Sequence, residues 1–124
     1  FSDDGQSIDT LVGNLKLQPL AKAGIDLFAG KVVFDVKGNI TTAGEITASK
    51  VNLTETTGLA VIKSGQTFAE VICPKVTKNS RIFVTPVSTS ASLFTPSKKA
   101  GESFRVEISS PAGKDIEFNW WIVN

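Results

Sequence analysis

Glu107 and Glu117 are the residues whose type and setting best fit acid–base work. Around them Phe104, Val106 and Ile108 alternate with Arg105 and Glu107, and Ile116, Phe118, Trp120 and Ile122 alternate with Glu117, Asn119, Trp121 and Val123. Matching the apolar faces of two such strands pairs Val106 with Phe118 and Phe104 with Trp120, which sets Glu107 beside Glu117. Cross-strand neighbours hold their Cβ atoms about 4.5–5.5 Å apart. That separation suits a retaining glycosidase or a divalent ion. Against it, Arg105 falls diagonal to Glu117 and offsets the repulsion on a polar face, and so small a domain adds no obvious deep cleft. The expectation is a protein that is not an enzyme, with a small glycan-cleaving enzyme only a third reading.

Other chemistry is restricted by what the chain lacks. It has no His and no Tyr, which removes the commonest general base and transition-metal ligand. Ser-His and Cys-His nucleophile pairs are impossible, and Cys73, the only cysteine, cannot complete a zinc site. Flanked by Val71, Ile72 and Pro74, Cys73 reads as a buried apolar filler. No glycine-rich or Lys-bearing phosphate loop occurs, and Asp3-Asp4-Gly5 lacks the further ligands of a calcium loop. No cofactor is expected. Asn39-Ile40-Thr41 and Asn52-Leu53-Thr54 match the glycosylation sequon, as chance allows in a Thr-rich chain. Trp120 and Trp121 invite stacking on a sugar ring, but adjacent strand residues face opposite ways. With Trp120 in the core, only Trp121 is left for a ligand, and its other reading is a subunit interface.

The elements that would position these residues follow from composition. The chain has 124 residues, enough for one ordinary domain or a short repetitive segment plus a small one. Lys and Arg number 13 against 12 Asp and Glu, a net charge of +1 spread along the chain, so nucleic acid has no electrostatic footprint. No apolar run approaches the roughly 20 residues of a membrane span, and no membrane insertion is expected. The chain starts at Phe1 and contains no Met, which suggests a processed product or a fragment. Thr, Ser, Val, Ile and Gly dominate, and strand propensity exceeds helix propensity.

Three segments are expected. Residues 1–30 read as a connector, partly helical or irregular, because Ile8, Leu11, Val12 and Leu15 fall at helical spacing before Gly13 and Pro19 cut it short. Residues 31–62 read as a glycine-punctuated β shaft, since Phe34, Ile40 and Ile46 recur every six residues, as do Gly38 and Gly44. Two or three such repeats build no core alone. Either the segment is an ordinary meander with regular turns, or three copies close it so that Ile40 and Ile46 meet on a threefold axis, a trimeric β-helix or prism. Residues 63–124 read as a small antiparallel β-sandwich head, with strands at 65–73, 81–87, 103–109 and 116–123 and a weaker one at 92–94; turns are expected at 78–80, 96–101 and 110–114. The fold class is all-β. Phe34, Ile40, Ile46, Val51, Trp121 and Val123 are the candidate subunit-interface residues.

The run Gly38-Asn39-Ile40-Thr41-Thr42-Ala43-Gly44-Glu45-Ile46-Thr47-Ala48 and the β-rich segment after it resemble the C-terminal regions of trimeric fibre proteins, of the phage tail-fibre or bacterial surface-fibre kind. The ending Asp115-Ile116-Glu117-Phe118-Asn119-Trp120-Trp121-Ile122-Val123-Asn124, with Gly101–Val106 before it, is similar to the terminal strands of secreted proteins built on such shafts. The resemblance spans residues 30–124. It implies a homotrimer, an extended shape, resistance to unfolding, an extracellular, cell-surface or virion location, and either attachment to a surface glycan or protein receptor or the capping of a longer assembly. It carries no catalytic residue across, and the self-cleaving serine constellation of some members has no counterpart here. The competing reading is a monomeric carbohydrate-binding or surface-layer domain.

Overall fold

The computed structural model describes residues 12–87 and 89–124. The chain divides between Lys50 and Val51 into two units. Both are built of strands, and no helix occurs among the described residues. Of the expected helical spacing, Ile8 and Leu11 lie outside the described residues, and Val12 and Leu15 are exposed in irregular chain. Gly13, Gln18 and Ala21 all take positive φ there, which interrupts any helical turn.

The first unit carries β1 (Ile25–Leu27), β2 (Val32–Phe34) and β3 (Ile40–Thr42) in an antiparallel meander. Ile25 lies opposite Phe34 and Phe34 opposite Ile40; Leu27 lies opposite Val32 and Val32 opposite Thr42. Residues directly opposite share a face, so Ile25, Leu27, Val32, Phe34, Ile40 and Thr42 line one side and Asp26, Val33 and Thr41 the other. The six-residue frame does not produce equivalent strands. Gly38–Ala43 supplies a turn and β3, whereas residues 44–49 form no strand.

Asp35 organises the β2–β3 loop. Its carboxylate accepts hydrogen bonds from the amides of Lys37 (2.8 Å) and Asn39 (2.9 Å) and from Asn39 Nδ2 (2.7 Å), while Gly38 takes φ +84° to close the turn. The bond from the Asn39 side chain, then that from its backbone, holds the Asp35 carboxyl below its usual value of 3.8. A carboxyl depressed on folding stabilises the loop above the unfolded value and loses that contribution as pH falls through the folded one. Protection of the Lys37 and Asn39 amides relative to their intrinsic exchange rates is therefore expected to fall as pH drops below 3.8, and Asp35→Asn to lack that protection already at neutral pH. Unchanged exchange in the variant would remove Asp35 from this role.

The second unit is a sandwich of two three-stranded antiparallel sheets. One has the order β4 (Thr57–Ile62), β9 (Ile116–Val123), β6 (Arg81–Pro86); the other β5 (Phe68–Ile72), β8 (Ser103–Glu107), β7 (Phe94–Lys99). Alternation in β9 is complete: Ile116, Phe118, Trp120 and Ile122 are buried and the residues between them are exposed. Phe104, Val106 and Ile108 meet them from the other sheet, with Ile62, Val71, Cys73 and Val76 completing the core. Cys73 is buried as expected, its thiol directed at the Glu55 carbonyl.

Two expectations need correction. The strands at 103–109 and 116–123 are not a hairpin. β8 lies between β5 and β7, and β9 between β4 and β6, so Phe104 and Trp120 meet across the sandwich, edge to face at 5.3 Å, instead of side by side. The sandwich also begins before residue 63, because Thr57–Ile62 pairs along β9. Gly58 and Ala60 sit opposite Trp120 and Phe118, and a Cβ on Gly58 would lie 2.8 Å from the Trp120 ring. Small residues on β4 thus make room for the largest ones on β9. At the strand ends Asp115 accepts from the Ser64 amide (2.8 Å) and pairs with Lys63 (2.7 Å), an exposed clasp that fixes register.

Candidate functional site

The proposed carboxylate pair does not form. Glu107, on β8, lies opposite Phe68 and Phe94; Glu117, on β9, lies opposite Val61 in the other sheet. Glu107 instead pairs with Arg105 on its own strand, Nε to Oε1 at 2.6 Å. Among the described residues no three His, Cys, Asp or Glu side chains gather as a metal site would require.

The candidate interface residues are all exposed, and they do not share one face. Phe34 and Ile40 are cross-strand neighbours on the apolar face of the first unit, 38% and 60% exposed. Ile46 and Val51, 75% and 70% exposed, lie outside any strand. No residue among those described in the first unit is buried. Trp121 and Val123 stand on the outer face of the β4-β9-β6 sheet, 44% and 42% exposed. There the Trp121 ring stacks on Phe83, which lies directly opposite it on β6, with centroids 4.8 Å apart and planes at 28°. One indole face is thereby occupied from within the chain. Leu59 on β4 extends the same patch, exposed and diagonal to Trp121. Phe83 and Leu59 were not singled out from sequence, although the alternation of Ile82 and Val84 with Phe83 was the signal for the first.

Of the outer face of the β5-β8-β7 sheet, the sequence pointed only to Arg105 and Glu107. Its register sets Phe68, Glu107 and Phe94 in one row, Glu70, Arg105 and Ser97 in the next, and Ile72, Ser103 and Lys99 in the third. An extra residue between Phe94 and Ser97 makes a β-bulge that turns Ser97 and Lys99 onto this face. The Arg105 guanidinium lies 3.7 Å above the Phe68 ring centre. Ser103, itself buried, donates its hydroxyl to Glu70. Between these rows and the Lys99–Glu102 turn is a concavity of about 590 Å³. That turn is held from behind: Glu102 O accepts from Cys73 N (2.8 Å), and Gly101, at φ +78°, donates to Val76 O (2.7 Å).

Neither a family model, nor a curated protein, nor a solved structure matches this chain.

Proposed function

We propose that the chain is a structural and adhesive module of a trimeric extracellular or virion fibre, in which the first unit joins three copies and the second is the head each presents for attachment. The observation that supports this most is the first unit's sheet. It gathers Ile25, Leu27, Val32, Phe34 and Ile40 on one side, yet among its described residues none is buried. Three strands of three residues with an uncovered apolar face do not hold together alone in water. Each such side chain, once covered, contributes roughly 1.5–3 kcal/mol. A second and a third copy supply that cover with the same residues. Trimeric display then multiplies weak head contacts, by about 10²–10⁴ where targets are suitably spaced. The module has no need of a reacting group, a cofactor or a metal.

Light scattering on the whole chain tests the reading. A mass three times the 13.2 kDa of one chain is expected. A mass of 13.2 kDa at micromolar concentration would return the chain to the monomeric carbohydrate-binding or surface-layer reading.

A further inference from the structure

We infer that the concavity on the outer face of the β5-β8-β7 sheet is a binding site for an oligosaccharide carrying a carboxylate group. This deepens the reading of the second unit as an attachment head, and rests on it. The site was not expected from sequence, which placed any sugar on Trp121, on the opposite sheet.

The lining carries both signs in a particular state of satisfaction. Glu70 is held by the Ser103 hydroxyl, and Glu107 offsets the charge of Arg105 at its Nε edge, which leaves Lys99 as the unpaired positive group of the lining. Lys99 has no ion-pair or hydrogen-bond partner for its ammonium among the described residues, and only the Nε edge of Arg105 is engaged. A guanidinium carries five N–H donors in a planar fork, so the Nη donors remain for a planar anion such as a carboxylate. Ser97, the second oxygen of Glu70 and exposed Glu102 offer acceptors for hydroxyl groups on the same ligand. A ligand with one carboxylate and several hydroxyls uses both sets; a bare anion would meet Glu70 and Glu102 with nothing to give them. Exposed Ile72 and Pro74 supply apolar surface for the C–H face of a sugar ring. The volume of about 590 Å³ accommodates two or three rings.

Construction also favours a site over a chance hollow. Its floor is regular sheet, its wall is a turn fixed by two backbone hydrogen bonds, and the bulge between Phe94 and Ser97 brings Ser97 and Lys99 to the same side as Arg105. Groups held on rigid elements lose little freedom when a ligand arrives.

The test is an NMR titration of the ¹⁵N-labelled whole chain with two acidic probes, 3′-sialyllactose and trigalacturonate. Each has a neutral counterpart, lactose and the methyl-esterified trigalacturonate, and inorganic phosphate is the bare-anion arm. Shifts in the amides of residues 97–105 are expected with at least one acid, with affinity at least tenfold above its neutral counterpart. Lys99→Gln, which breaks no contact within the chain, is expected to weaken that affinity about tenfold, Arg105→Gln by more, and Trp121→Ala to leave it unchanged. No response to either acid at millimolar concentration, equal response to the neutral sugar, equal response to phosphate, or shifts centred on Trp121 would each overturn the site. Mass is measured on the same samples. A trimer that binds no acid keeps the fibre reading and removes the site, while a monomer that binds one keeps the site and removes the fibre.

Discussion

Phe104→Ala is expected to cost roughly 3–5 kcal/mol, the range for emptying a buried aromatic position. Phe104 is fully buried, on the central strand of its sheet, with its ring against Trp120 of the facing sheet. A domain of this kind has about 5–15 kcal/mol in total, so the variant sits near the edge of folding. Phe68→Ala, on the outer face of the same sheet, removes the same atoms from a half-exposed position under Arg105 and is expected to cost about 1 kcal/mol. Urea unfolding followed by tryptophan fluorescence separates the two. The near-ultraviolet circular dichroism of Trp120 should collapse in the first variant and persist in the second. Equal losses would mean that the two rings are not on opposite faces, and the inside-out assignment of the whole sandwich would go with them.

The inward sets of β8 and β9 were legible in sequence because alternation reports a face directly, and the faces read from it are the buried ones. Which strand lies beside which was not. Two strands with full apolar faces fit equally well as neighbours in one sheet or as partners across a sandwich, and only the connection separates the cases. Here β8 ends at Glu107 and β9 starts at Ile116, a longer link than the two to five residues usual for a hairpin. β4 was hidden for a different reason. Its inward residues include Gly58 and Ala60, small because Trp120 and Phe118 take the space, so the strand has a core face without large apolar residues to show it. In β7 Pro96 and the run Ser97-Lys98-Lys99 read as a turn, whereas a bulge absorbs the proline and the strand continues. The concavity was illegible because Glu70, Ser97, Lys99 and Arg105 come together only through that bulge and through the pairing of β8 with β5 and β7, neither of which local pattern encodes.

The difference between the two units gives the second large effect. Every buried residue described lies between Ile62 and Ile122, within the second unit, while the first exposes the apolar side of its sheet. A fragment of residues 51–124 should therefore unfold cooperatively, with protected amides in β8 and β9, and a fragment of residues 1–50 should show no protection above a random coil at dilutions where it is a single chain. If the first unit's face joins the copies, the 51–124 fragment should also run as a single chain where the whole protein runs as three. The alternative is that Leu59, Phe83, Trp121 and Val123 carry association. In that case the fragment stays trimeric, and Trp121→Asp dissociates it while Phe34→Asp with Ile40→Asp does nothing to the whole chain. Mass separates these outcomes because the two faces lie on different units, and no one truncation removes both. What decides between them is where water is excluded on assembly. If the first unit's face is the interface, its five apolar side chains, with no core behind them, gain both fold and partners in one step. The Trp121 face, backed by a finished sandwich, gains only partners, and its association should weaken with dilution without any loss of strand structure.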